Sequence, residues 1–159
     1  MNTQPQTRTH YTHWDVLFAS PTEPLATNLR VSQLTRMWSG LASIETGDCP
    51  TTDDWRLCSD AVNLMETFVV MGKVQDTSGL LMDAITALAM AGKRHLGGAQ
   101  IRLDGPGIQA VRAVLEDYDA VLEALPARTV MACHRTTEQR LQKILAGKRQ
   151  PHDVEIVSL

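Results

Sequence analysis

Apolar positions recur at intervals of three and four residues along most of the chain, and each such run predicts a helix with one face turned to a core. From Asn28 onward, Val31, Leu34, Trp38, Leu41 and Ile44 share a face, with Thr27 as a cap and Gly47 as a stop. The next segment, "TTDDWRLCSDAVNLMETFVVMG", opens on capping threonines and two acids suited to the positive end of a helix dipole, and closes at Gly72. Its apolar residues form two adjacent rows: Trp55, Cys58, Val62, Met65, Val69 and Leu57, Ala61, Leu64, Phe68, Met71. Only Arg56, Asp60, Asn63 and Thr67 make a polar strip. A helix apolar around most of its circumference is buried on most sides, so this one is expected at the centre.

A shorter helix, "GLLMDAITALAMAG", capped by Asp76 or Ser78, ends at Gly92 or runs on through "KRHL" to Gly97 and Gly98. In "GPGIQAVRAVLEDYDAVLEALP", the positions Ile108, Val111, Leu115, Tyr118, Leu122 and Leu125 alone would suit a coiled-coil seam. Val114 and Val121 widen that stripe to the width of a helix packed on a globular core. Pro106 fits its first turn and Pro126 stops it. Over 127–146 the inner side is read as Val130, His134 or Cys133, Thr137, Leu141 and Ile144–Leu145. Near the start, "HWDVLFASPTEP" reads as a strand or one helical turn, with Trp14, Val16 and Phe18 docked on the core. "DVEIVSL" reads as a strand or an extended tail, and pairing with "QIRL" would add two short strands, near 100–103 and 153–158. The expected fold is mainly α, a single-domain bundle of about five helices over 14–159 behind a flexible N-terminal segment, 1–13.

Composition changes this picture little. At 159 residues and 43% hydrophobic the chain can build a core, but only 4% is aromatic, so Leu, Val, Ile, Ala and seven Met must fill it. No apolar run approaches the roughly 18 residues that span a bilayer, and the N-terminus has no signal-peptide apolar region. Three cysteines, Cys49, Cys58 and Cys133, without a CxxC pair point to reduced thiols and a cytoplasmic setting with no membrane partner.

Charge adds more. The net charge is −3, yet residues 44–83 carry eight acids against two bases, and 124–151 carry six bases against one acid. The segregation predicts two recognition surfaces. Arg128, Arg135, Arg140, Lys143, Lys148 and Arg149 form the expected basic face, and Asp48, Asp53 and Asp54 the acidic one. Opposite charges on one chain also leave room for a homo-oligomer.

Candidate chemistry is sparse. His134 and Glu138, an i,i+4 pair beside Cys133, are the best local metal candidates, but there is no HExxH and no second ligand cluster. Cys49 precedes a helix start, where Asp48, Asp53 and Asp54 oppose a thiolate. "HLGGAQIRLDGPG" is neither a Walker loop nor GxGxxG. Arg56, Asp60 and Asn63 are expected as a polar network, with Arg56 or Arg102 supplying partners. No catalytic set, metal or cofactor is expected.

The pieces "TTDDWRLCSDAVNLMETFVVMG", "IRLDGPGIQAVRAVLEDY" and "CHRTTEQRL" resemble short uncharacterised proteins of proteobacterial prophages and plasmids. The resemblance implies a small accessory protein of a mobile element and carries no catalytic residues. The leading expectation is a noncatalytic interaction protein that binds a host or phage macromolecule, in one version a host defence complex. A nucleic-acid-binding regulator using the basic helix and a small metal-dependent enzyme around His134 and Glu138 are the alternatives.

Overall fold

In the computed structural model, which describes residues 10–147, the chain forms α1 (His13–Phe18), α2 (Thr27–Thr46), α3 (Thr52–Val70), α4 (Leu81–Leu96), α5 (Gly105–Ala124) and α6 (Ala127–Leu145). The central helix is α3, which touches α2, α4, α5 and α6, whereas α1 lies outside, against α6. Its start is a capping box: the Thr51 hydroxyl accepts from Asp54 N–H, and the Asp54 carboxylate accepts from Thr51 N–H. Its end is a Schellman turn, in which Lys73 N–H reaches the Phe68 carbonyl and Gly72 takes φ +67°, a left-handed conformation that favours glycine.

Trp55, Cys58, Val62, Leu64, Met65 and Phe68 are all buried along this rod, and Trp55 Nε1 donates to the Leu88 carbonyl of α4 at 2.9 Å. Gly40 lets α2 lie close: a Cβ there would stand 2.8 Å from the Asp54 carbonyl oxygen. On α5, Val111, Val114, Leu115, Tyr118 and Leu122 are buried, as the widened stripe requires. Between α4 and α5 an extended piece sends Ile101 and Leu103 into the core, and Arg102 donates to the carbonyls of Ile44 (3.0 Å) and Gly47 (2.6 Å) at the negative end of α2.

Three expectations need correction. No strand forms among the described residues, so the two-stranded addition is not found. At 100–103 the Arg102 carbonyl is taken by the Arg94 guanidinium and not by a strand partner, while 153–158 lies outside the described residues. Trp14 and Phe18 do not dock on the core; they are 64% and 81% exposed. The docked reading has the period of a strand, which puts 14, 16 and 18 on one side. A helical turn instead gathers Trp14, Leu17 and Phe18 on one arc and turns the half-buried Val16 the other way. Arg102 serves α2 and not the Asp60–Asn63 strip.

The polar groups of α3 explain the placement of α6. Ser59, Asn63, Glu66 and Thr67 are buried, and Ser59 donates back to the Trp55 carbonyl. Arg140 of α6 points inward, donating to Glu66 Oε1 at 3.3 Å and to Thr67 Oγ1 at 3.2 Å, and the Thr67 and Thr137 hydroxyls share a 2.6 Å hydrogen bond. Removing one member of a buried ion pair strands the other charge. Arg140→Ala is therefore expected to cost about 3–5 kcal/mol in urea unfolding, and the paired change Glu66→Leu with Arg140→Met to recover most of it.

Candidate functional site

A cleft of about 130 Å³ opens between α2, α3, α5 and α6. The i, i+3, i+4 spacing of α2 brings Gln33, Arg36 and Met37 to the cleft, and α3 lines it with Asp53, Arg56, Leu57, Asp60, Ala61, Asn63 and Leu64. Tyr118 closes it from α5, and His134, Thr137, Glu138 and Leu141 close it from α6. The expected polar network of Arg56, Asp60 and Asn63 and the separate pair His134/Glu138 thus meet in one place. Asn63 is buried, Asp60 is half-buried, and Arg56 stands at the rim, 3.3 Å from the Asp53 carboxylate.

The inner groups are neutral. Burial pushes the His134 imidazole down to about 4, and its Nε2 is a buried atom with no hydrogen-bond partner among the described residues. Its ring meets that of Tyr11 edge-on, with centroids 5.1 Å apart. Burial, and then the charges of Tyr11 and Asp60, raise the Tyr118 phenol, which keeps it protonated. Cys58 is pushed up to about 12, and Cys133 is also raised, both mainly by burial, so neither is a thiolate nucleophile. Among the described residues no three His, Cys, Asp or Glu side chains converge on a metal position. Glu138 pairs with His10.

The two predicted charged faces are dispersed. Arg140 is corrected from a surface residue to a buried one, because Glu66 needs a counter-charge. Arg128 donates to the Leu17 carbonyl and Arg135 to the Tyr11 carbonyl, each at 3.0 Å, so both bind the α1 segment to α6. Lys143 is exposed, and Lys148 and Arg149 lie outside the described residues. Of the acids, Asp48 is exposed and Asp53 faces Arg56, while Asp54 is committed to the capping box and to the Ser43 hydroxyl. No family model matches the chain, and neither curated proteins nor solved structures show a significant similarity to it.

Sequence reasoning missed Gln33, Arg36 and Tyr118 as cleft residues. The signal available was the row Gln33, Arg36, Met37, Gly40, whose helical spacing runs polar groups into a glycine at a helix crossing. It also missed the exposed cluster on α1. There Trp14 and Phe18 stack with centroids 6.2 Å apart, and His13 meets Trp14 edge-on.

The depressed His134 value has a definite sign in stability. The unfolded chain takes up the proton first, so this contribution is complete above about pH 6.5 and is lost as pH falls toward 4. In denaturation at pH 5, wild type should lose about 2 kcal/mol relative to neutral pH from this group alone, and His134→Phe should lack that share of the loss.

Proposed function

We propose that the protein is a noncatalytic helical interaction protein that docks on a macromolecular partner, and that α1 is the element it presents. The observation that carries this reading is the exposure of Trp14 (64%), Leu17 (50%) and Phe18 (81%) on one arc of a six-residue helix, in a chain with only seven aromatic residues. Large aromatic side chains dominate the energetics of protein interfaces, and fully burying each is worth roughly 1.5–3 kcal/mol.

The patch is held in place before any partner arrives. Thr12 and Asp15 form a capping box on α1, Arg128 donates to the Leu17 carbonyl within it and Arg135 to the Tyr11 carbonyl before it, and the Ala127 and Arg128 N–H groups bond the Glu23 and Ser20 carbonyls. A rigid apolar surface loses little entropy on docking. The matching partner is a protein with an apolar pocket. A nucleic-acid partner draws less support, since Arg128, Arg135 and Arg140 are engaged within the chain and no array of free cations faces outward on the described part of α6. The resemblance to short prophage and plasmid proteins supplies the context: an accessory protein acting on a host or phage component, with a host defence complex as one specific target.

Affinity capture from host lysate, with wild type beside Trp14→Ala/Phe18→Ala, tests this. The double variant should keep the wild-type melting temperature and lose the partner, and the wild-type complex should survive a wash of about 0.5 M salt, which screens ionic contacts beyond about 4–5 Å. A partner retained by the double variant, or released as nucleic acid by salt, contradicts the proposal.

A further inference from the structure

The chain ahead of α2 is fastened to the bundle unevenly. Around 20–23 the ties are backbone bonds: the Ala127 N–H donates to the Glu23 carbonyl at 2.8 Å and the Arg128 N–H to the Ser20 carbonyl at 3.0 Å. Ahead of them, α1 has no buried residue and packs on α6. The ties of 10–19 are polar and peripheral, with Arg128 on the Leu17 carbonyl, Arg135 on the Tyr11 carbonyl and His10 on Glu138. An element with so little apolar burial opens locally at a cost well below that of global unfolding.

One side chain of this segment reaches further in. The Tyr11 ring lies edge-on against that of His134, with centroids 5.1 Å apart, and its hydroxyl accepts from Gln33 Nε2 of α2 at 3.3 Å. His134 is half-buried as a residue, while its Nε2 is wholly buried and has no hydrogen-bond partner among the described residues. Buried polar atoms almost always have a partner, so a buried one without stores free energy that contact with water releases.

The charges around that ring come in both signs. Arg135 and Glu138 stand beside it on α6, the latter engaged by His10, and Asp15 of α1 is held in its capping box. Arg36 enters from α2, and Asp53, Arg56 and Asp60 from α3. Tyr11 and Tyr118 of α5 are neutral phenols, both raised by burial. Burial outweighs the charges at the imidazole and pushes it down from 6.5 to about 4. In water the same ring holds a proton about 300-fold more tightly.

We propose that residues 10–19 are a strap that proton uptake by His134 releases: closed, it covers the imidazole with Tyr11, and lifted about 20–23 it lets water and a proton reach the ring. The open form takes up the proton first. Opening is therefore unaffected above about pH 6.5 and grows as pH falls toward 4, by at most about 300-fold. His10 works the other way, because a proton on it strengthens its pairing with Glu138. Trp14, Leu17 and Phe18 ride on the strap, so release carries the exposed patch away from α6, but the device itself requires no partner.

The test follows the His134 and Tyr11 ring signals of the full chain by NMR from about pH 7.5 to 4. Salt of about 0.15 M largely screens charges more than about 8 Å apart. His134 should titrate below 6.5, with the Tyr11 signals moving at the same midpoint and those of α3 unmoved. Arg128→Gln removes a tie more than one helical turn from His134, at an exposed residue that leaves the core intact. The loosened strap should let His134 bind its proton about tenfold more tightly, the worth of one hydrogen bond to a charged group. Tyr11→Ala, which uncovers the ring, should return His134 to within about threefold of its ordinary proton affinity; if that variant does not fold, Arg128→Gln decides. Tyr11 signals that stay put while His134 titrates, loss of the α3 signals at the His134 midpoint, or an unchanged His134 in either folded variant would overturn the proposal.

Discussion

The fold depends on enclosing a helix that is not wholly apolar. Helix α3 is covered by four neighbours, yet it carries Ser59, Asn63, Glu66 and Thr67 inside. Water is denied to these groups, so the protein itself must satisfy them: Ser59 turns to the Trp55 carbonyl of its own helix, and Glu66 and Thr67 are met from α6. The carboxylate of Glu66 makes the strongest demand, and Arg140 meets it from α6. That demand fixes the rotation of α6. With Arg140 inward, Thr137 reaches Thr67 and His134 comes to line the cleft, while Arg135 and Arg128 are left at the edge where the α1 segment crosses. A helix that reads as a basic surface becomes a structural tie between the core and the N-terminal element.

Much of the architecture was legible in the sequence, because it rests on periodicity and punctuation. The two apolar rows of α3, the widened stripe of α5 and the stops at Gly47, Gly72 and Gly97–Gly98 all describe local physics that tertiary contacts reinforced. Position along a helix also read well where the apolar set was wide. It failed at Val31, Met71 and Leu145, which are 54%, 50% and 67% exposed.

Charge placement was not legible. A buried Glu66 and a buried Arg140 lie 74 residues apart, and nothing local distinguishes them from solvated charges. The cleft is likewise a non-local object, in which residues from four helices converge, whereas spacing had linked only Arg56, Asp60 and Asn63 on α3 and, separately, His134 and Glu138 on α6. The α1 patch was hidden for a different reason. A run of alternating apolar residues fits a strand and a helical turn equally well, and the choice between them reverses which side chains face outward. Arg128, Arg135 and Arg140 are thus drawn into contacts within the chain, while Trp14, Leu17 and Phe18 of α1 stand exposed; Tyr11, just before α1, has its ring on His134 and its carbonyl held by Arg135.

Enclosure of α3 is the claim from which the rest is built, and native-state hydrogen exchange reads it most directly. The amides of 62–68 should exchange only through global unfolding, with free energies that equal the urea-unfolding value and fall with it as denaturant is added. Exchange of those amides through local opening, at energies no higher than those of α1, would contradict the account.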